Sequence, residues 1–245
     1  MAPPASTVHL GCAGWSLPRD TWPQFAAAGT HLQRYAARLN AAEINSSFYR
    51  PHQPATYQRW ADSVPPGFRF AVKLPKTITH EQRLRDCDVL LASFLAQATA
   101  LGGKLGCLLV QLPPSLAFDE HTAPLFFRRL RAQHPGAVAL EPRHASWFTP
   151  GVDAVLKELR IARVLADPVL HGATAPGGWP GLVYVRLHGS PRMYYSSYGQ
   201  ATLKALAVKL RESADAGADT WCIFDNTASG AAVRNALELQ ALLDA

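Results

Sequence analysis

Hydrophobic and polar residues alternate along residues 182–188, a pattern typical of a β-strand whose two faces meet different surroundings. Aliphatic residues at positions 183, 185 and 187 alternate with Tyr184, Arg186 and His188. An isolated charge is costly to bury, so Arg186 and His188 need partners if their face is interior. The strand therefore predicts that other parts of the chain bring acidic groups to these two residues.

Apolar strand-like runs alternate with amphipathic segments along the rest of the chain. We predict strands at residues 9–14, 41–45, 68–73, 105–112, 137–141, 162–167, 183–188 and 221–225. We predict helices at residues 32–39, 54–63, 89–101, 119–133, 152–159, 203–214 and 231–243, and a Gly- and Pro-rich loop at 168–181. This alternation predicts an α/β fold with parallel strands, and about eight units are typical of a TIM-type (β/α)8 barrel. An open doubly wound sheet is the alternative, but no Gly-rich phosphate motif follows the first strand.

Length and composition favour one folded domain. The chain has 245 residues, of which 48% are hydrophobic and 17% are charged. We expect a short leader at residues 1–7, without the features of a signal peptide, followed by a single barrel domain at residues 8–245. The longest apolar run, residues 105–112, is too short to cross a bilayer. We therefore expect a cytoplasmic protein that makes no contact with a membrane.

Polar residues gather at the predicted strand ends, where barrels of this type carry their functional sites. We predict one catalytic group at that mouth, formed by Glu43, Lys73, Glu141, Arg186, His188 and Asp225. Within it we expect Lys73 to pair with Glu43 on the neighbouring strand, and Arg186 to pair with Glu141 or Asp225. A structural ion-pair network that performs no chemistry is the alternative.

The metal content of such a site is open at this stage. One interior histidine with three or four carboxylates suits Mg²⁺ or Mn²⁺ better than zinc, although His188 could equally be a hydrogen-bonded interior residue. The four cysteines lack the paired spacing that holds zinc. The net charge of +6 agrees with an anionic ligand, and equally with arginines spread over helix surfaces.

Loops that follow the strands carry aromatic, cationic and amide side chains that we predict to bind substrate. These residues are Trp15, Asn45, Arg143, Arg192, Tyr194, Tyr195, Asn226, Thr227 and Ser229. The aromatic rings could stack on sugars or bases, or could instead pack the loops against one another. Thr227 or Ser229 is expected to cap the last helix, and we predict that phosphate binds between this helix start and Arg192.

Seven short motifs make the sequence recognisable. They are GCAGWS at residues 11–16, EINSSFY at 43–49, FAVKLP with ITH at 70–80, LVQLPP at 109–114, EPRHASW at 141–147, YVRLHG at 184–189 and FDNT at 224–227. As a set they resemble the YecE-like family, also known as domain of unknown function 72. The resemblance implies a triosephosphate-isomerase-type barrel, and it brings no established activity or catalytic residue.

Three functions therefore remain open from the sequence. The first is an enzyme acting on a phosphorylated or otherwise anionic small molecule, for example a phosphoester hydrolase. The second is a nucleic-acid-binding barrel without catalysis, whose binding would weaken steeply with salt. The third is an isomerase or aldolase that uses Lys73 or a carboxylate as its base.

Overall fold

The computed structural model describes residues 8–245, so the predicted leader lies outside the described residues. One sheet contains ten strands. They are β1 (Val8–Ala13), β2 (Ala41–Ile44), β3 (Arg69–Lys73), β4 (Leu105–Gln111), β5 (Ala137–Glu141), β6 (Ala162–Arg163), β7 (Leu165–Asp167), β8 (Gly177–Gly178), β9 (Leu182–Leu187) and β10 (Asp219–Phe224).

The strands form a nearly closed parallel barrel. Their order is β7-β9-β10-β1-β2-β3-β4-β5-β6-β8, and every neighbouring pair is parallel except β6 with β8. β6 and β7 are separated only by Val164; β6 pairs with β5, whereas β7 pairs with β9. The two ends of the sheet therefore meet at this interruption.

The strand count differs from the predicted eight for two local reasons. The predicted sixth strand, 162–167, divides at Val164 because its two halves pair with different neighbours. The predicted loop at 168–181 contains β8, which pairs with β6 in an antiparallel two-residue bridge. The parallel α/β architecture holds, with ten strands in place of eight.

Residues 8–245 contain seven α-helices, six of which lie between strands while α7 follows the last strand. They are α1 (His31–Ala36), α2 (Pro54–Asp62), α3 (Asp88–Ala98), α4 (Thr122–Gln133), α5 (Pro150–Glu158), α6 (Gln200–Asp215) and α7 (Ala231–Leu243). Short helical turns that the pattern does not predict follow four strands, at Arg19–Gln24, Ser46–Phe48, Thr77–Glu81 and Ala145–Trp147, and a further turn, Thr99–Lys104, continues from the end of α3. No helix within residues 8–245 is long and apolar enough to cross a membrane.

The alternation along β9 separates two hydrophobic cores. Val185 and Leu187 pack in the larger core, which also contains apolar residues of all seven helices, whereas Tyr184 packs with Trp221 in a smaller core. That smaller core is formed by alternate strand residues and fills the barrel interior. A side chain on the Tyr184 face of β9 therefore points inward, and the next two on that face are Arg186 and His188.

Candidate functional site

Arg186 lies at the centre of a buried ion-pair network. It is completely buried, and its Nε and Nη2 donate to the two carboxylate oxygens of Glu43 at 3.0 and 2.7 Å. Its Nη1 donates to Glu141 Oε2 at 3.0 Å, and its Nη2 also lies 3.1 Å from Asp225 Oδ2. Strands β2, β5 and β9, and the residue that follows β10, thus each contribute one charged side chain to a single cluster.

His188, two residues after Arg186 and on the same inward-facing side of the strand, links two of these carboxylates. Its Nε2 lies 2.9 Å from Glu141 Oε1, and its Nδ1 lies 3.0 Å from Asp225 Oδ2. Both ring nitrogens therefore face carboxylate oxygens, an arrangement that suits the doubly protonated imidazolium, because that form donates from both nitrogens. Arg143 adds a further cation, with Nη2 at 3.1 Å from Glu141 Oε1.

The charges of this cluster hold one another in their ionised forms. Burial raises the pKa of Glu141, but Arg186, His188 and Arg143 outweigh burial and hold that pKa well below its ordinary value. Burial likewise acts on Asp225, and Arg186 and His188 overcome it so that the pKa of Asp225 is lowered. Burial lowers the pKa of His188, but Glu141 and Asp225 outweigh burial, so that the pKa of His188 is raised.

Lys73 departs from its predicted role. No carboxylate among residues 8–245 lies within ion-pair distance of its Nζ, so the expected pair with Glu43 is wrong. Glu43 instead reaches across the interior, where it accepts hydrogen bonds from Arg186 and from the Tyr184 hydroxyl at 3.0 Å. The Nζ of Lys73 lies 4.1 Å from the centroid of the Phe48 ring.

The strand-end face of the barrel opens into a cavity of about 560 Å³. Its lining contains seven of the predicted site residues, namely Asn45, Lys73, Arg143, Tyr194, Tyr195, Asp225 and Thr227. The remaining lining residues are Phe48, Tyr49, His80, Gln111, Leu112, Pro113, Pro114 and Ala228. Glu43, Glu141, Arg186 and His188 are each at most 2% exposed, so they form the buried polar layer behind this lining.

Several lining residues come from segments in which the sequence signal was weak. Phe48 lies in the short helical turn Ser46–Phe48, and His80 lies in the turn Thr77–Glu81, where their rings contact each other at 4.9 Å between centroids. Gln111 was recognisable in the sequence as a polar strand-end residue, although the predicted site does not include it; it is the last residue of β4. The proline pair that follows it breaks the strand and faces the same cavity.

Four predicted substrate-binding residues do not line the mouth cavity. Trp15 packs against Trp60 and Phe70 in the outer core, and Asn226 is fully buried. The guanidinium of Arg192 lies over the Tyr195 ring, 4.0 Å from its centroid, and the Ser229 hydroxyl donates to the Tyr195 carbonyl at 2.6 Å.

The start of α7 also differs from the expected arrangement. Its N-cap is Gly230, at a φ of 74°, and no side chain caps the helix. The prediction that Thr227 or Ser229 supplies the cap is therefore wrong. A left-handed residue at this position turns the chain sharply into the helix, and glycine adopts that conformation with the least strain.

Tyr194 is held over the buried layer in a strained conformation. Its φ of 67° is unusual for a residue with a bulky side chain, and its ring packs edge-on against His188 with 5.9 Å between centroids. Backbone hydrogen bonds fix it from both sides, since its N–H donates to the His188 carbonyl and its carbonyl accepts from the Ala228 N–H. The loops after β9 and β10 are thereby tied together above the site.

The carboxylates that prompted the Mg²⁺ or Mn²⁺ prediction are occupied by protein cations. Arg186, His188 and Arg143 engage the oxygens of Glu43, Glu141 and Asp225. Accordingly, residues 8–245 contain no group of three or more His, Cys, Asp or Glu side chains arranged to hold a metal ion. The donor set that the sequence suggested does not fit a metal in this arrangement.

Comparisons with known proteins agree with the resemblance in the motifs. The chain is 32% identical to the UPF0759 protein YecE of Escherichia coli K12 over 167 residues, covering 65% of this chain and 59% of YecE. It is 24% identical to the UPF0759 protein YunF of Bacillus subtilis, covering 97% of this chain and 95% of YunF. The aligned part thus spans little more than half of the E. coli relative.

Solved structures share the fold. A DUF72 family protein of Enterococcus faecalis superposes with a TM-score of 0.80 at 21% identity, covering 98% of this chain and 96% of that protein. A DUF72 family protein of Thermotoga maritima gives a TM-score of 0.79 at 24% identity, covering 97% and 99%. The family model described as protein of unknown function DUF72 matches residues 9–245. The chain therefore belongs to the DUF72 family.

Proposed function

We propose that this protein is an enzyme that binds a small anionic substrate in the mouth cavity and moves protons on it. The observation that carries the proposal is a pair of cationic side chains beside the cavity, each with an N–H donor that lacks an acceptor in the described part of the chain. Lys73 has no carboxylate within ion-pair distance in the described part of the chain, and the buried Nε of Arg143 has no acceptor there. A substrate anion would supply the missing acceptors.

The balance of charge supports an anion rather than a cation. The three carboxylates Glu43, Glu141 and Asp225 are matched by Arg186, Arg143 and protonated His188. Lys73, when protonated, then adds one positive charge that nothing in the cluster cancels. An anion in the cavity would therefore meet a net positive lining, although three carboxylates lie close by.

The size and depth of the site favour a small molecule over a nucleic acid. A cavity of about 560 Å³ falls in the range typical of small-molecule sites. Lys73 is only 5% exposed, and the Arg143 side chain is 19% exposed. A polymer backbone is normally held by exposed lysines and arginines, so these recessed cations suit a molecule that enters the cavity whole.

The geometry also narrows the choice of proton carrier. His188 is held protonated between two carboxylates, and Glu141 and Asp225 have lowered pKa values, so none of the three is ready to accept a proton at neutral pH. Among residues 8–245, Lys73 lines the cavity without an ion-pair partner or a hydrogen-bond partner for its Nζ, whereas the Nδ1 of His80, which lines the same cavity, lies 2.9 Å from the Thr79 hydroxyl. This arrangement favours the isomerase or aldolase class, with Lys73 taking or giving the proton, over phosphoester hydrolysis by His188.

Calorimetric titration with inorganic phosphate at low ionic strength tests the anion site. We expect Arg143→Met and Lys73→Met each to weaken binding by roughly tenfold or more, because a hydrogen bond to a charged group contributes about 1.5–3 kcal/mol. Arg192→Met is the matched control, since Arg192 lies outside the cavity lining and should leave the affinity unchanged. Loss of binding in Arg192→Met, with unchanged binding in the two cavity variants, would place the anion on the outer loop. Tighter, steeply salt-dependent binding of a single-stranded oligonucleotide would favour the nucleic-acid alternative.

A further inference from the structure

Lys73 differs from every other lysine of the chain in its surroundings. It lies at the end of β3, is 5% exposed and lines the mouth cavity. The other five lysines, at positions 76, 104, 157, 204 and 209, are all less buried. Lys76, for example, pairs with Glu81 at 3.0 Å with nearly half of its side chain exposed, and Lys104 donates to the Pro65 carbonyl. Lys73 has neither kind of polar partner within the described chain.

The backbone around Lys73 is fixed while its amine is left available. The Ser47 hydroxyl donates to the Lys73 carbonyl at 2.7 Å, and the next residue, Leu74, donates its N–H to the Leu109 carbonyl at 2.9 Å. The Phe48 ring lies beside Nζ, 4.1 Å from centroid to nitrogen, and accepts no conventional hydrogen bond from it. Covalent catalysis by an amine requires a lysine whose backbone is held in place and whose amino group has no polar partner.

The electrostatic surroundings increase the neutral, nucleophilic form of this amine. Burial, followed by the positive charge of Arg186, lowers the pKa of Lys73 from 10.5 to about 8, against the opposing effect of three carboxylates. The neutral fraction near neutral pH is therefore roughly 300-fold larger than for an ordinary lysine. The charged groups that act on Lys73 are Arg186, Glu43, Glu141 and Asp225. Those that act on its neighbour His80 are Lys73, Arg143, Glu81 and Lys76.

We propose that Lys73 forms a Schiff base with a carbonyl group of the anionic substrate. This inference rests on the proposed function, because Arg143 would hold the carboxylate or phosphate of the same molecule. The substrate class is then an anion that also carries an aldehyde or ketone, such as an α-oxo acid or a phosphorylated carbonyl compound. The covalent bond would place the carbonyl carbon at Nζ, close to Asp225 in the cavity lining.

The step balances without any outside reactant. The neutral amine, whose proton a nearby group or water holds, attacks the carbonyl carbon and forms the C–N bond; proton transfer then gives a carbinolamine. The C–O bond breaks as the oxygen leaves with two protons as water. Counted from the ammonium form, one ammonium and one carbonyl give one protonated imine and one water. The positive charge stays on the Lys73 nitrogen, so the net charge beside the buried carboxylates is the same before and after the step.

Reductive trapping with pyruvate and sodium cyanoborohydride tests this step on the full chain. Hydride from the reagent adds to the imine carbon and gives a stable secondary amine, which peptide mass spectrometry locates. We expect Lys73 to be modified at least tenfold faster than Lys76 at pH 7.5, with a rate that rises through pH 8, where surface lysines still react slowly. Inorganic phosphate should protect Lys73 in the wild-type protein, since it would occupy the same cavity.

Two variants complete the test. Lys73→Arg keeps the positive charge but cannot form an imine, so trapping in the cavity should disappear, while Lys76→Arg should leave trapping at Lys73 intact. Pyruvate binding that depends on Arg143, without trapping at Lys73, would overturn the Schiff base and leave the anion site standing. Absence of trapping at Lys73, together with absence of phosphate binding in the calorimetric titration, would overturn both proposals. Uniform modification of all six lysines, insensitive to phosphate, would overturn the Schiff base as well.

Discussion

Arg186→Met should lower the free energy of unfolding by about 3–5 kcal/mol, the cost of breaking a buried ion pair by removing one partner. Methionine fills much of the space of the arginine side chain, so the loss would come mainly from charge. Glu43 would keep only the Tyr184 hydroxyl as a donor among its present partners, inside a region where both residues are completely buried. Urea unfolding followed by circular dichroism measures the change.

A matched variant separates burial from the mere presence of an arginine–carboxylate contact. Arg234 pairs with Asp20 at 2.5 Å, but about half of each side chain is exposed. Arg234→Met should therefore cost about 1 kcal/mol or less. Arg186→Lys should fall between the two, because lysine keeps the charge but cannot give two parallel hydrogen bonds to Glu43. A cost below about 1 kcal/mol for Arg186→Met would contradict the claim that the buried ion-pair network stabilises the barrel interior.

Glu141→Gln should also destabilise the protein strongly, by about 3 kcal/mol at neutral pH, because buried cations lose their partner. Glu141 is the carboxylate that meets three cations, namely Arg186, His188 and Arg143. Glutamine preserves its shape but removes the charge and turns an N–H group towards donors. Glu81→Gln is the control, because Glu81 forms an exposed pair with Lys76 and should change stability by less than about 1 kcal/mol.

Glu141→Gln should also change how the free energy of unfolding depends on pH, in a direction set by the ion-pair network. The pKa of Glu141 is lowered, so its stabilising effect is present above about 4.5 and is lost as the pH falls through the folded-state pKa. The pKa of His188 is raised, so its stabilising effect is complete below 6.5 and is lost as the pH rises through the folded-state pKa. In Glu141→Gln the acid loss should shrink, and the alkaline loss should become smaller and end at a lower pH, because the folded-state pKa of His188 moves towards its unfolded value.

Histidine-resolved NMR titration measures the second effect directly. The pKa of His188 should fall in Glu141→Gln, because one of the two carboxylates that raise it has been neutralised. Glu81→Gln should leave the His188 titration unchanged. An unchanged His188 pKa in Glu141→Gln would mean that the 2.9 Å contact between the two residues carries little of the coupling.

The sequence was sufficient to place the inward-facing row of β9. Strict alternation from Val183 to His188 put Arg186 and His188 in the interior, and the polar strand ends predicted which carboxylates would gather near them. The expected contacts of Arg186 with Glu141 and Asp225 are present. Alternation succeeds here because a strand has only two faces, and one of them must be interior in a barrel.

The sequence was insufficient to pair the charges within that interior. Glu43 and Lys73 lie on adjacent strands, which made their pairing the simplest expectation, yet Glu43 contacts Arg186 on the other side of the barrel. The order of the strands fixes which backbones are neighbours. Long side chains can instead reach partners across the barrel interior, and the width of that interior cannot be predicted from a local sequence pattern. Lys73, which lacks the predicted ion pair with Glu43, is the residue on which both proposals depend.

Loop conformation was the second limit of prediction. Arg192 and Tyr195 were both expected at the mouth, but the loop turns the Arg192 guanidinium onto the Tyr195 ring, and only Tyr195 reaches the cavity lining. The left-handed conformations of Tyr194 and Gly230 shape these two loops. Such turns depend on tertiary hydrogen bonds, including that from Ala228 N–H to the Tyr194 carbonyl, and the composition of the loop does not reveal them.

A crystal structure of the protein grown with phosphate tests the central claim most directly, because it locates the anion. We predict phosphate inside the mouth cavity, with oxygens within about 3 Å of Lys73 Nζ and of the Arg143 guanidinium. The same experiment on Arg143→Met should show the cavity without phosphate. Phosphate bound instead between Arg192 and the first turn of α7, with none at Lys73 and Arg143, would contradict the proposed site.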